Sequence, residues 1–155
     1  MTWLIMAIAT GGYAGYLPGM PGTWGSLVGL GLFILAASLL PAGVLPWLLA
    51  GVIAVAVAAA GSAEKILDRR DPSVVVIDEI AGMLVTLAGQ PNEPLFWLAG
   101  FVLFRLFDIT KPFPIRWVDR VVQGGLGIVG DDLVAGLFAN LSLGLLALVV
   151  GHLFG

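Results

Sequence analysis

The chain has 155 residues, of which 59% are apolar and only 11% are charged, and it contains no cysteine. Soluble domains average about 45–50% apolar and about 25% charged residues, and a soluble domain of this size has too little interior to bury so much apolar surface. The net charge of −3 argues against nucleic acid as a partner, and the lack of cysteine excludes disulfides, thiolate nucleophiles and cysteine metal sites.

Five apolar segments approach the roughly 20 residues that a helix needs to cross the hydrocarbon core of a bilayer. In chain order they are residues 24–40, 43–61, 74–89, 95–109 and 133–154. Residues 1–25, which precede the first complete span, include a shorter apolar stretch that breaks at glycine and proline, so we expect a half-inserted or interfacial segment there. The sequence predicts an all-α, polytopic integral membrane bundle of about five spans, in a single catalytic domain formed by residues 1–155.

Two prolines end the fourth predicted span, because the residue before a proline is disfavoured in the α conformation. After Pro112 and Pro114, residues 115–122 place apolar side chains on one stripe and charged side chains on another. This pattern is typical of a short helix that lies in the plane of the membrane interface. Three glycines between residues 124 and 127 then predict a flexible turn before Asp131 and Asp132.

The basic residues indicate the orientation of the chain. In the five-span arrangement all seven lysines and arginines fall on one side, and the positive-inside rule makes that side cytoplasmic. The sequence therefore predicts an integral membrane protein whose charged side faces the cytoplasm. The seven basic residues are Lys65, Arg69, Arg70, Arg105, Lys111, Arg116 and Arg120.

Five carboxylates near the cytoplasmic ends of these spans form the candidate catalytic set. They are Asp78, Glu79, Asp108, Asp131 and Asp132. An acid within a span costs about 2.5–3.5 kcal/mol on insertion scales, so it normally faces the bundle interior and has a function. Helix ends at one depth can bring such groups together around a hard cation with oxygen ligands. We expect Asp78, Glu79, Asp108 and Asp132 to ligate Mg²⁺.

Structural explanations exist for some of these acids. Asp131 or Asp132 can cap the last helix, where aspartate is favoured. Asp108 can form a surface ion pair with the residue three positions before it. Asp78 and Glu79 are hardest to explain this way because they interrupt an apolar run. Since adjacent helical residues point about 100° apart, one of these two can ligate the metal while the other orients it or acts as a base.

A basic group accompanies the acids and predicts a phosphate site. Arg105, Lys111, Arg116 and Arg120 lie within one short stretch, and arginine and lysine both bind phosphate oxygens. The alternative role is attraction to anionic lipid headgroups, which we prefer for two other basic residues, Lys65 and Arg70.

Thr23 and Ser26 lie where a glycine-containing loop leads into the first span, and they are further candidates for substrate binding, since a helix N-terminus attracts anions. They can equally serve as turn and capping residues.

The inventory of nucleophiles narrows the mechanism. His152 is the only histidine, and the predicted topology places it on the far side of the membrane from the acids. Phosphohistidine and phosphocysteine intermediates are therefore excluded. Water activated by a metal is favoured over an aspartate nucleophile, because the usual Asp-x-Asp pairing is absent.

Four motifs stand out along the chain: Pro-Gly-Thr-Trp-Gly-Ser (21–26), Ile-Asp-Glu-Ile-Ala-Gly-Met (77–83), Phe-Arg-Leu-Phe-Asp-Ile-Thr-Lys-Pro-Phe-Pro-Ile-Arg (104–116) and Gly-Gly-Leu-Gly-Ile-Val-Gly-Asp-Asp-Leu-Val-Ala-Gly (124–136). Together they resemble the phosphatidylglycerophosphatase A family of small bacterial inner-membrane lipid phosphatases, and this resemblance implies a protein of the bacterial inner membrane. The resemblance runs from about residue 11 to about residue 140. It implies Mg²⁺-dependent hydrolysis of phosphatidylglycerophosphate to phosphatidylglycerol and phosphate.

Two other classes of membrane protein can carry similar acids. A small cation-coupled transporter uses intramembrane carboxylates, but it needs polar groups that continue to the far side, where the spans offer little beyond Thr86 and Ser38. A CDP-alcohol transferase would also be acidic and membrane-bound. Its Asp-Gly-x-x-Ala-Arg stretch is absent here.

Overall fold

The computed structural model describes residues 2–154, and this part of the chain is helical with no strand. The all-α prediction is therefore confirmed. Short 3-10 turns occur at Ala14–Tyr16 and Ala42–Val44. The α-helices are α1 (Thr2–Ala9), α2 (Pro21–Leu39), α3 (Leu45–Leu67), α4 (Ile77–Leu87), α5 (Pro94–Thr110), α6 (Ile115–Val121) and α7 (Gly124–Phe154).

Three helical segments are long and apolar enough to cross a bilayer. They are Pro21–Leu39, Ala42–Leu67 and Gly124–Val149. The 17 residues of α5 stand at the lower limit for a span. The 11 residues of α4 rise only about 16 Å, about half the thickness of the hydrocarbon core. The predicted number of about five spans is therefore not confirmed.

The short α4 corrects the expectation of a span over residues 74–89. Residues 74–76 are not helical, because the N–H of Val76 donates to the carbonyl of Ala9 at 2.9 Å instead of continuing a helix. At the other end, Gly89 adopts a positive φ of 71°. The helix α1 has eight residues, too few to span, as the sequence indicated.

The helix α4 lies at the centre of the bundle and packs against α2, α3, α5 and α7. Its side chains are almost all buried, with Met83 and Leu87 completely enclosed. The outer helices instead expose large apolar side chains, such as Trp47 and Leu148, which are 80% and 73% exposed. An apolar centre inside an apolar exterior is the arrangement expected of a helical bundle surrounded by lipid.

The predicted glycine turn before Asp131 is wrong, because α7 already begins at Gly124. Gly125 instead permits close packing against α3: a Cβ at Gly125 would overlap the carbonyl oxygen of Val57 and lie 3.1 Å from the Cα of Gly61. Small residues at such crossings let helix backbones approach closely. The two aspartates therefore lie well inside a long helix.

The short helix predicted at residues 115–122 is confirmed as α6, which ends one residue earlier. Its first residue, Ile115, is completely buried and attaches the helix to the bundle. Phe113 and Trp117 are 81% and 55% exposed, which fits a segment that lies against the membrane interface.

Candidate metal and phosphate site

Three carboxylates from two helices meet at one end of the bundle. Asp78 and Glu79 lie in the first turn of α4, and Asp132 lies on α7. One oxygen from each lies within 4.8 Å of the others. We refer to these three side chains as the acidic cluster. Asp78 and Asp132 are only 7% and 4% exposed, so little water is available to separate their charges.

The acidic cluster has the chemistry of a site for a hard cation. Asp78 Oδ1, Glu79 Oε2 and Asp132 Oδ2 are buried and accept no hydrogen bond from any described residue. Unpaired buried carboxylates are costly, and like charges at this separation repel one another. A divalent cation would satisfy the oxygens and neutralise the repulsion, and Mg²⁺ and Ca²⁺ prefer such oxygen ligands.

The local structure of α4 explains why it carries two of these acids. The N-terminus of a helix bears a partial positive charge that favours carboxylates in the first turn. Because α4 starts at Ile77, Asp78 and Glu79 occupy that turn. The start itself is fixed at Val76, whose backbone is not helical and whose N–H donates to the carbonyl of Ala9 at the end of α1.

Asp108 lies beside the acidic cluster but is not part of it. Its Oδ2 forms an ion pair with Arg105 Nη1 at 2.5 Å, between residues three positions apart on α5. The predicted i,i+3 pair therefore forms, although both side chains are largely buried in the site. Arg105 Nη1 also lies 3.5 Å from Ser26 Oγ, and its Nε has no partner among the described residues.

Lys111 holds Asp131 away from the acidic cluster. Its Nζ donates to Asp131 Oδ2 at 2.6 Å and to Asp119 Oδ1 at 2.8 Å. Although partial burial opposes the charge of Lys111, the hydrogen bonds to Asp119 and Asp131 raise the pKa of this lysine above its usual value. Helix capping by Asp131 or Asp132, which the sequence left open, is wrong, since the helix begins at Gly124.

The acidic cluster, Arg105, Asp108, Lys111 and Asp131 line one open cavity of about 390 Å³. It contains the acidic cluster and both salt-bridged bases, so it can hold a metal ion together with a phosphoryl group. The side chains that give it this mixed charge are Asp71, Asp78, Glu79, Arg105, Asp108, Lys111, Asp131 and Asp132.

The N-terminus of α2 forms one wall of this cavity through Pro21 and Gly22. A Cβ at Gly22 would overlap Glu79 Oε1 and lie 2.9 Å from Arg105 Nη1, so a side chain there would displace these two groups from their present positions. Ser26 is fully buried and donates to the Gly22 carbonyl at 2.8 Å. Thr23 lies outside the cavity lining and does not cap the helix, because Met20 holds that position.

Comparison with known proteins gives the family. The model of the family Phosphatidylglycerophosphatase A matches residues 7–147. The chain belongs to this family. Similar proteins include Phosphatidylglycerophosphatase A of Escherichia coli K12 at 37% identity, covering 97% of this chain and 84% of the relative, and that of Haemophilus influenzae at 38%, covering 87% and 83%.

A protein of Bacteroides thetaiotaomicron named as a putative phosphatidylinositol-3-phosphatase is 34% identical over 97% of this chain and 98% of its own length. No solved structure matches the chain significantly. The family consists of phosphoric monoester hydrolases, so the predicted family and enzyme class are confirmed.

Family membership sets the transporter alternative aside, and the far half of the bundle agrees with this. The hydroxyls of Thr86 and Ser38 donate to carbonyls of their own helices at 2.9 and 2.7 Å. They therefore offer no chain of free polar groups from the acidic cluster to the opposite side.

Arg116 and Arg120 lie outside the cavity that holds the acidic cluster. Both border a neighbouring groove of about 380 Å³ with Phe113 and Trp117. Arg116 Nη2 donates to the Thr110 carbonyl at 3.3 Å. A role of the two arginines in substrate binding stays a prediction.

Sequence reasoning missed two features of the cavity. Asp71 and Ser73, from the loop between α3 and α4, both line it. The Asp-Pro-Ser stretch at residues 71–73 was the available signal, since a turn directly before a helix with two acids lies next to their side chains. The second feature is the close approach of Glu79 and Arg105 to Gly22, which no local pattern indicated.

Proposed function

We propose that the chain hydrolyses the terminal phosphomonoester of phosphatidylglycerophosphate with the help of Mg²⁺ held by Asp78, Glu79 and Asp132. The observation that carries this proposal is the set of three buried carboxylate oxygens that have no hydrogen-bond partner among residues 2–154 and lie beside Arg105, in a chain of this family. The products are phosphatidylglycerol and inorganic phosphate.

The residues of the cavity supply the groups that this reaction needs. When bound, Mg²⁺ supplies Lewis-acid stabilisation of the phosphoryl oxygens and makes a water molecule more acidic. Arg105 binds the phosphate and, through its ion pair with Asp108, is held in one orientation. A carboxylate of the acidic cluster accepts the proton of the attacking water. The bond between phosphorus and the glycerol oxygen then breaks, and that oxygen takes up a proton.

The position of the site suits a substrate that stays in the bilayer. The basic residues lie at the same end of the helices as the acidic cluster, so the positive-inside rule predicts that this end faces the cytoplasm of a bacterial cell. At headgroup depth the phosphomonoester can enter the cavity while the acyl chains remain in lipid. Arg116 and Arg120 on the interfacial helix α6 would bind the anionic headgroup there.

The test is phosphate release by the purified protein in detergent micelles that contain phosphatidylglycerophosphate. We expect turnover with Mg²⁺, complete loss in excess EDTA and recovery when Mg²⁺ is added back; Mn²⁺, which favours the same ligands, should also restore activity. Full turnover in EDTA, in protein shown to be metal-free, would refute the metal assignment.

Substrate choice needs a second lipid in the same assay, because one relative is named for a phosphoinositide substrate. We expect phosphatidylglycerophosphate to be hydrolysed with a kcat/KM at least about tenfold above that of phosphatidylinositol 3-phosphate, because the matching family and two of the relatives are named for the former lipid. A preference for the phosphoinositide would keep the reaction class and overturn the substrate.

A further inference from the structure

The helices α4 and α7 face each other along matching residues spaced four positions apart. Because residues at i, i+4 and i+8 share one helix face, this spacing lines up three successive levels of contact. From the site outward, the three levels pair Asp78 with Asp132, Gly82 with Gly136, and Thr86 with Asn140.

The middle level is a direct contact between helix backbones. A Cβ on Gly136 would overlap the carbonyl oxygen of Gly82 and lie 3.2 Å from the Cβ of Val85. A Cβ on Gly82 would lie 2.8 Å from the carbonyl oxygen of Asp132. Glycine at both positions therefore fixes how closely the two helices approach.

The outer level is a side-chain cap on the C-terminus of α4. Asn140 Nδ2 lies 3.1 Å from the carbonyl oxygen of Val85, 3.0 Å from that of Thr86 and 2.8 Å from that of Ala88. Gln90 Nε2 in turn donates to the Asn140 carbonyl at 3.0 Å. The last carbonyls of a helix lack partners within it, and α4 ends where the bundle offers mainly apolar neighbours. One amide thus satisfies groups that water would otherwise have to reach.

We propose that Asn140 is a positioning residue for the metal site. By holding the end of α4 against α7, it sets the distance of Asp78 and Glu79 from Asp132. This inference rests on the proposed function, because it concerns the affinity of the acidic cluster for a divalent cation.

The spacing of the three levels explains how Asn140 can affect the acidic cluster from a distance. Adjacent levels are four positions apart along each helix, so the glycine contact lies about 6 Å from the acidic level and about 6 Å from the Asn140 level. If the cap is lost, α4 can pivot about the glycine contact, and a displacement at Thr86 produces an equal and opposite displacement at Asp78. Carboxylates that repel one another favour such an opening, and a metal site tolerates only about 0.5 Å of misplacement.

The first experiment compares Asn140→Ala and Asn140→Asp with Ser142→Ala. Ser142 lies on the same helix, and its hydroxyl donates only to the Phe138 carbonyl of that helix. The readouts are the Mg²⁺ concentration for half-maximal activity, the KM for the lipid and the melting temperature. We expect both Asn140 variants to need about tenfold more Mg²⁺, with the lipid KM within about twofold of wild type and much of kcat recovered at saturating Mg²⁺.

The second comparison, Gly136→Ala with Gly144→Ala, tests the pivot itself and remains informative if the Asn140 variants do not fold. A Cβ at Gly144 would meet only Gln90 Nε2, at 3.9 Å, so this variant should behave as wild type. Gly136→Ala should raise the Mg²⁺ concentration for half-maximal activity at least as much as loss of the cap does.

One result would overturn the inference: the variants keep the wild-type Mg²⁺ dependence, and their kcat falls only in proportion to the folded fraction. Asn140 would then stabilise the fold without positioning the metal site. A wild-type enzyme without any metal dependence would instead overturn the proposed metal site, and the inference with it. The two failures are therefore distinguishable by the wild-type titration.

Discussion

The substitution Asp132→Asn removes one negative charge from the acidic cluster and changes the shape of the side chain very little. The three carboxylates approach within 4.8 Å, where two unit charges repel by about 3.5 kcal/mol at an effective dielectric constant of about 20. The substitution abolishes two of the three pairwise repulsions. The metal-free variant should therefore be more stable than the metal-free wild type, even though it loses activity.

Stability and activity should thus move in opposite directions. If only about 1–2 kcal/mol of the relieved repulsion reaches the folding equilibrium, the melting temperature in EDTA rises by roughly 2–8 °C for a chain of this size. Added Mg²⁺ should stabilise the wild type by mass action and stabilise the variant much less. Because even indirect partners of metal ligands change activity about 10–100-fold, we expect kcat to fall at least about 100-fold.

The assay is thermal unfolding in detergent with EDTA and across an Mg²⁺ series, together with phosphate release. Asp68→Asn is a matched control, because it makes the same charge change at an exposed position whose left-handed backbone asparagine tolerates. A variant of Asp132 that is no more stable than wild type in EDTA, or that keeps activity within tenfold at the same Mg²⁺, would refute the assignment.

Three other experiments test separate parts of the structure. Gly22→Ala should lower kcat about tenfold by pushing a methyl group into the acidic cluster, whereas Gly31→Ala on the same helix, with open space around it, should not; equal activities would contradict the close approach. Lys111→Met should cost about 1–3 kcal/mol of stability by leaving two aspartates without their cation. Because the pKa of Lys111 is raised, its stabilisation of the fold is fully present below about pH 10 and is lost only above it. The melting temperature of Lys111→Met should therefore lie below that of wild type by the same amount from about pH 7 to 9, and a difference that shrinks over this range would contradict the ion pairs. Cysteines at Asn92 and Ser73, in a chain that has none, test orientation in intact cells with an impermeant thiol reagent: only Asn92 should react, and the reverse result would overturn the predicted side.

Hydropathy located the helices well, but it did not show which apolar segments form helices long enough to span, for a physical reason. A residue buried among other helices and a residue that faces lipid have the same apolar character, so composition does not distinguish them. Met83 and Leu87 of α4 are completely buried because other helices surround this one on all sides. The apolar run at residues 74–89 therefore indicated burial, whereas the length of the helix depends on contacts that no local pattern contains.

Glycine was ambiguous in the same way. The glycines at the start of α7 are typical of a turn when read along the chain. In the bundle, Gly125 lies directly against the backbone of α3 near Gly61, and the helix continues through it. Whether glycine frees the backbone or allows a neighbour to approach is decided by the neighbour, which is distant in sequence.

The residue types of the site were predictable from sequence, but their pairing was not. Asp78, Glu79 and Asp132 form the acidic cluster; an interrupted apolar run indicated the first two, whereas Asp132 was also compatible with a helix cap. Asp131 is adjacent to Asp132 in sequence and Asp108 was predicted as a ligand as well, yet each is held by a neighbouring cation. That division depends on where two long basic side chains reach, which is a property of the packed structure.

The polar groups inside the bundle divide into two sets, and the division explains why α4 is short. At its C-terminal end, Asn140 Nδ2 donates to carbonyls of the last turn, and Gln90 Nε2 donates to the backbone carbonyl of Asn140. These amides end the helix within apolar surroundings. At its N-terminal end, Asp78 and Glu79 have carboxylate oxygens with no partner among the described residues, although the helix dipole favours their charge. A buried polar group without a partner is costly, so this arrangement is stable only if something else binds there. A full-length span would place its C-terminus in the opposite interface and would need no internal cap. The half-length helix instead keeps both ends inside the bundle, one closed by protein groups and the other open to a cation and the phosphate of a lipid.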